Sequence, residues 1–178
     1  MTKEILLAGF GGQGILFAGK QIAHAAMHKG MRVSWMPSYG PEMRGGVANC
    51  SVIISKNEIS SPLINRSDIL IALNLPSYEK YEPKIKPGGI LIADSSLIPK
   101  KSTRSDISAH YIPATKLASE NRLEGGANVI MLGCLLQHTT LFDIDEFILL
   151  MIKSIPPSRA NLIESNVEAL EIGYYYNC

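Results

Sequence analysis

Two glycine-rich segments hold the residues best suited to chemistry. The first is Gly9-Phe10-Gly11-Gly12-Gln13-Gly14, and the second is Pro37-Ser38-Tyr39-Gly40-Pro41-Glu42-Met43-Arg44-Gly45-Gly46. Glycines allow positive φ and let a backbone come close to a ligand. A helix opening directly after the first segment aims unpaired N–H groups and a positive dipole end at an anion, phosphate or carboxylate. In the second segment, Arg44 can pair bidentately with the same groups, and Tyr39 offers a flat face to a base or to a partner side chain. Its two prolines and three glycines make it stiff but irregular, which suits a preformed recognition surface.

Gly9-x-Gly11-x-x-Gly14 fits the dinucleotide-binding fingerprint, yet the fingerprint also needs an acidic residue roughly 20 positions on, at the end of the second strand. That strand is expected to end at Met36-Pro37-Ser38, and the first carboxylate beyond it, Glu42, is displaced into the second glycine-rich segment. This disfavours the alternative of a free-standing NAD- or nucleotide-binding protein. No Gly-Lys-Ser/Thr triplet follows the glycines, so a P-loop is disfavoured too. A plainer reading of the glycines is a tight turn and close helix–sheet packing.

Metal chemistry finds little support in the spacing. Cys50, Cys134 and Cys178 are far apart and form no C-x-x-C pair, so zinc ribbons and thioredoxin-like sites lack their usual ligands. His24 and His28 share a helical face without the carboxylate or third ligand of H-E-x-x-H, and His110 and His138 complete no set. No metal is expected. Cys50 and Cys134 read as small buried apolar residues. Ser95 and Ser96 could face a crevice or serve as turn residues. Asn128, near the start of a buried helix, either reaches the crevice or needs internal hydrogen bonds. The formal net charge of +1 argues against a nucleic acid or an anionic membrane as partner. The Lys100, Lys101 and Arg104 group reads as a solvated loop.

The elements that must position these residues follow from the apolar pattern. Strands are expected at Lys3–Ala8, Arg32–Met36 (ended by Pro37), Val47–Ser55, Asp68–Leu73, Ile90–Ala93 and Ser108–Ile112. Pro87-Gly88-Gly89 reads as a turn. Helices are expected at Gln13–Lys29, from a Ser77 cap to Lys84, and at Ala114–Asn121, Ala127–Thr139, Ile144–Ser154 (capped by Asp143) and Arg159–Tyr174. The aromatic tail Tyr174–Cys178 is expected to fold back or meet a partner. Strand–helix alternation predicts a single α/β domain over residues 1–178: Rossmann-like, three-layered, with C-terminal helices and a largely parallel sheet. No helix separates Arg32–Met36 from Val47–Ser55, which leaves room for an antiparallel member. In such sheets, loops at the carboxyl ends of adjacent strands share one crevice, so the two glycine-rich segments should form one surface. No run approaches the roughly 20 apolar residues of a membrane span, and no signal peptide is visible, so the expected location is the cytoplasm.

Beyond Gly9–Gly14, the Pro37–Gly46 segment with Ala48-Asn49-Cys50-Ser51 resembles the gamma subunit of 2-oxoacid:ferredoxin oxidoreductases. Ser60-Ser61-Pro62, Asn74-Leu75-Pro76-Ser77 and Ala127-Asn128-Val129-Ile130-Met131-Leu132-Gly133 extend the resemblance over roughly residues 4–150. Val47 stands where threonine is more usual. The wording Tyr39–Arg44 is closer to 2-oxoglutarate and branched-chain types than to pyruvate types. The resemblance implies a complex that decarboxylates a 2-oxoacid, with 2-oxoglutarate favoured, on thiamine diphosphate with Mg2+. Electrons pass through iron–sulfur clusters to ferredoxin or a similar acceptor, and acyl-CoA (succinyl-CoA) forms. This chain has no Gly-Asp-Gly segment and no cysteine cluster, so those cofactors are expected in alpha and beta partners, with or without a delta subunit. What is left for this chain is to help bind coenzyme A and to assemble the complex. The implied contacts are the backbone of Gly11, Gly12 and Gln13, the side chains of Ser38, Tyr39 and Arg44, and Asn128. The rival reading is a purely structural docking subunit. A homodimer is open to the isolated chain.

Overall fold

The computed structural model describes residues 2–38 and 48–178. Six strands form one sheet: β1 (Thr2–Gly9), β2 (Arg32–Ser38), β3 (Ala48–Ser55), β4 (Ser67–Ala72), β5 (Ile85–Asp94) and β6 (Ser108–Ile112). Their order is β2-β3-β1-β4-β5-β6. β3 runs antiparallel to both β1 and β2, while β1, β4, β5 and β6 are mutually parallel. The helices are α1 (Ile15–His28), α2 (Leu75–Tyr81), α3 (Ala114–Glu120), α4 (Ala127–Gln137), α5 (Ile144–Ser154) and α6 (Ile163–Tyr175). The Rossmann-like α/β expectation, with a mixed sheet and C-terminal helices, is met.

The strands are apolar nearly throughout because both sheet faces are covered. On β1, Ile5 and Leu7 enter a core shared with α1, α3, α4, α5 and α6, while Leu6 and Ala8 enter a smaller core with Tyr78 and Tyr81 of α2. Helix α4 lies deepest, with every residue from Asn128 to Leu136 buried. Its crossing with α6 is a backbone contact: a Cβ on Gly133 would collide with the Leu170 carbonyl, and one on Gly173 with the Ile130 carbonyl. Gly19 does similar work for α1, where a Cβ would lie 2.6 Å from Cys50 Sγ on β3. Burial there pushes the Cys50 thiol up to about 12, against a smaller opposing effect of a hydrogen bond with Trp35.

Several boundaries differ from the sequence expectation. Pro37 does not end β2 but pairs in register with Cys50 inside it; β2 is an edge strand, where the missing N–H costs no ladder bond. Pro87-Gly88-Gly89 is not a free turn. It lies within β5 as a bulge, the register stepping from Ser67↔Ile85 directly to Ile69↔Ile90. Helix α2 is capped by Asn74 rather than Ser77, with the Ser77 N–H donating to Asn74 Oδ1 at 2.8 Å. The segment after Pro156 begins as a 3-10 turn over Pro157–Leu162 before α6. Arg104 is not merely solvated: it forks onto Asp106 (2.8 and 2.7 Å) and donates to the Glu82 carbonyl at 2.9 Å.

Replacement Gly173→Ala forces two helix backbones apart. It should cost about 3 kcal/mol, at the upper end of ordinary overpacking; urea denaturation with an unchanged m-value checks this.

Candidate functional site

The site is built where β1 gives way to α1. Gly12 (φ 91) and Gly14 (φ 73) take left-handed backbone that only glycine adopts freely. Gly14 opens α1 without a side-chain cap, so the first helical N–H groups have no intrahelical acceptor. Among the described residues, no hydrogen bond uses the N–H of Gly11 or Gly12, and both residues are exposed. They remain available to an anion.

Gln13 has a structural role that the expectation of a backbone contact did not include. Its N–H donates to the Phe10 carbonyl at 3.3 Å. Its Oε1 accepts from Phe10 N–H at 2.6 Å and from Asn74 Nδ2 at 3.4 Å, and its Nε2 donates to the Leu73 carbonyl at 3.1 Å. The side chain is a brace that ties the glycine turn to the end of β4. Asn128 also braces: its Nδ2 donates to the Gly14 carbonyl at 3.0 Å. Its Oδ1 is buried with no partner among the described residues.

β3 intervenes between β1 and β2, so the two glycine-rich segments do not leave adjacent strands. The described flanks of the second segment nevertheless lie at the edge where β1 ends, because Gly9 pairs with Ala48 and Ser38 with Asn49 at the start of β3. Ser38 stands exposed at the end of β2 and lines neither of the clefts described next. Tyr39 and Arg44 lie outside the described residues.

Two clefts flank the turn Leu123–Gly125. The first, about 600 Å³, runs from Gly12 and Gln13 to Leu97, Thr115, Ser119 and Arg122. The second, about 420 Å³, lies between α1 (Lys20, His24), Asn128 and Arg159. The far wall of the first cleft is fixed by Asp94, buried at the end of β5. Its Oδ2 accepts from the N–H and hydroxyl of Thr115 at 3.1 and 2.5 Å, and its Oδ1 from Ser96 N–H at 3.0 Å. Ser96 Oγ accepts from Lys116 N–H at 3.1 Å. Ser96 is thereby a turn residue rather than a cleft contact.

Arg122 is the cation that sequence reading missed. It follows α3 with φ 58. Leu123 N–H donates to the Ala118 carbonyl at 2.8 Å and Arg122 N–H to the Ser119 carbonyl at 3.2 Å. This is a Schellman turn with arginine in the position glycine usually fills, at a backbone cost of roughly 1–2 kcal/mol. Nothing in the residue type advertises that conformation; the following Glu124-Gly125-Gly126 breaker was the one available sign of a helix end nearby.

An α/β domain with an open cleft beside a glycine-rich helix start, at the carboxyl edge of its sheet, has a Rossmann-like architecture, and that edge is where such folds place their ligands. Comparison with known proteins narrows this. The family model for pyruvate ferredoxin/flavodoxin oxidoreductase matches residues 4–176. The 2-oxoglutarate synthase subunit KorC of Methanocaldococcus jannaschii is 37% identical over 177 residues, covering 98% of this chain and 93% of that protein. The ketoisovalerate oxidoreductase subunit VorA of Methanothermobacter thermautotrophicus is 34% identical over 170 residues, and there this chain spans only 35% of the relative's length. The keto/oxoacid ferredoxin oxidoreductase gamma subunit of Geobacter sulfurreducens superposes with a TM-score of 0.83 at 28% identity, covering 98% of this chain and 95% of that one. The 2-oxoglutarate:ferredoxin oxidoreductase of Magnetococcus marinus, solved with 2-oxoglutarate, coenzyme A and succinyl-CoA bound, gives 0.84 at 25% identity over 97% of this chain and 30% of that one. The chain belongs to the pyruvate ferredoxin/flavodoxin oxidoreductase family. Among the described residues, no helix is long and apolar enough to cross a membrane.

Two outcomes follow. Gln13→Ala strips partners from Phe10 N–H and the Leu73 carbonyl and should cost about 1–2 kcal/mol, read by chemical denaturation. His24 is held below 6.5 first by burial, then by Lys20 and His28. The unfolded chain therefore binds the proton more tightly, so the contribution of neutral His24 is whole above 6.5 and is lost as pH falls below it. An NMR titration of the His24 ring should show a midpoint under 6.5; a midpoint at or above that value contradicts the burial argument.

Proposed function

We propose that this chain is the gamma subunit of a cytoplasmic 2-oxoacid:ferredoxin oxidoreductase, with 2-oxoglutarate as substrate and succinyl-CoA as product. The observation that carries this is the near end-to-end match to KorC, at 98% of this chain and 93% of that protein. In the proposed complex the carbon and electron chemistry belongs to partner subunits. Three cysteines are one short of the four thiolates that a [2Fe–2S] or [4Fe–4S] cluster takes, and no Gly-Asp-Gly segment is present for thiamine diphosphate and its Mg2+. The alpha and beta partners, with or without a delta subunit, supply these cofactors and the contact with ferredoxin.

The part left to this chain is to place coenzyme A. Coenzyme A carries phosphates, and the N–H groups of Gly11 and Gly12 before α1, unpaired among the described residues, suit them. Arg122 stands across the same cleft, and Arg44 is the candidate from the second glycine-rich segment. Gln13 and Asn128 act on coenzyme A only by holding this turn in shape.

Arg122→Gly tests the role without harming the fold, since glycine suits a left-handed position. In the assembled complex, Arg122→Gly and Arg44→Ala should each raise the apparent KM for coenzyme A about tenfold, the loss of one charge-assisted hydrogen bond. kcat at saturating coenzyme A should be kept. Unchanged KM together with loss of subunits on gel filtration would instead make the chain a docking subunit. Affinity capture of the tagged chain from its native extract should bring down larger subunits that reduce a viologen dye with 2-oxoglutarate and coenzyme A; a different preferred 2-oxoacid would redirect the substrate assignment.

A further inference from the structure

On the other side of the domain from the glycine turn, three separate stretches of chain bring soft donor atoms together. His110 lies on β6, Cys134 and His138 lie one turn apart at the end of α4, and Cys178 follows α6. The imidazoles of His110 and His138 stack with centroids 3.6 Å apart and planes 18° from parallel. One donor atom from each of His110, His138 and Cys178 falls within 4.8 Å of the other two. His138 Nε2 is 3.1 Å from Cys178 Sγ, and Cys134 Sγ is 3.1 Å from the same sulfur. The aromatic tail does fold back, and it ends on this group. The spacing alone offered no set for His110 and His138, because a sequence does not show that β6, α4 and the tail converge.

We propose that Cys134, His138, Cys178 and His110 form a structural binding site for a single zinc-type divalent cation. Two thiolates and two imidazoles are the donor set of tetrahedral structural zinc. At Zn–S of about 2.3 Å and Zn–N of about 2.0–2.1 Å, tetrahedral geometry sets donor atoms roughly 3.3–3.8 Å apart. The two 3.1 Å separations fall just short of that range and the donors of His110, His138 and Cys178 lie within 4.8 Å of one another, so three donors are already gathered; Cys134, 3.1 Å from Cys178 Sγ, completes the set by turning its side chain towards them. Cys134 is fully buried, while His110, His138 and Cys178 are half-buried. Such a position admits an ion yet keeps bulk water from competing for it. On binding, both thiols give up their protons to solvent and the imidazoles bind as neutral ligands, so charge and atoms balance without any redox partner. The ion would tie the tail after α6 to β6 and to the end of α4. The site stands apart from the coenzyme A reading and does not depend on it.

The test uses the full chain, purified with a non-thiol reductant and freed of metal by a chelator, then titrated with Co2+ and with Zn2+. The expected result is a single equivalent of Co2+ that shows tetrahedral ligand-field bands and a thiolate-to-cobalt charge-transfer band, both abolished by one equivalent of Zn2+. Cys178→Ser and His138→Ala should each weaken Zn2+ by more than the roughly 100-fold that loss of an outer partner costs. Cys50→Ser, packed under Gly19 far along the chain, should leave the titration unchanged. Circular dichroism of the metal-free variants verifies that they fold. Absence of the charge-transfer band in folded protein, or equal affinity in Cys178→Ser, overturns the site. So does a Cys134–Cys178 disulfide that persists under the reductant, seen as a mass lower by two hydrogens with neither thiol alkylated.

Discussion

The placement of β3 is the constraint on which the candidate site depends. Running antiparallel between β1 and β2, it starts at the carboxyl edge where both of them end and carries the chain back to the opposite edge. At the carboxyl edge Gly9 pairs with Ala48, and Ser38 with Asn49, so the described residues on either side of the second glycine-rich segment lie beside the end of β1. A parallel strand in that place would have needed a crossover connection to the opposite edge before it could start. The apolar run through β3 is what fixes this placement, since it is buried on both sides by α1 and the neighbouring strands.

The glycine turn is held from two directions that have nothing to do with each other in sequence. Gln13 ties it to the end of β4, and Asn128 reaches it from α4. Both are amides rather than charged groups. They can satisfy backbone donors and acceptors together while adding no field of their own, so the dipole at the start of α1 remains the dominant electrostatic feature of the turn. Across the cleft, the buried Asp94 carboxylate plays the equivalent part for α3, fixing the wall that carries Arg122.

Much of this was legible in the sequence. Period-two and continuous apolar runs identified the six strands, the Asp143 cap placed α5, and the glycine spacing placed the turn before α1. What escaped was three-dimensional convergence. Pro37 looked like a strand end because a sequence does not show which strand lies at an edge. The cap of α2, by contrast, is local: Asn74 is a preferred N-cap residue whose Oδ1 takes the N–H of Ser77 three positions on, with Pro76 in the first turn, so that signal was present in the sequence. The bracing role of the Gln13 side chain was hidden because its partner, the Leu73 carbonyl, is sixty residues away in the chain. Arg122 carried no signal, since its left-handed backbone is imposed by the helix end and not by its own preference.

The backbone contact between Gly133 and Gly173 also bears on how the chain is made. Helix α4 leaves the ribosome with almost no polar side, and the partner that covers it, α6, follows only after α5. Throughout that interval a nascent chain leaves uncovered the apolar face of α4 that α6 will take. The polypeptide is then at its most prone to aggregation and most in need of a chaperone. A slowdown of translation between the two helices would lengthen that exposure, whereas one placed before α4 would not.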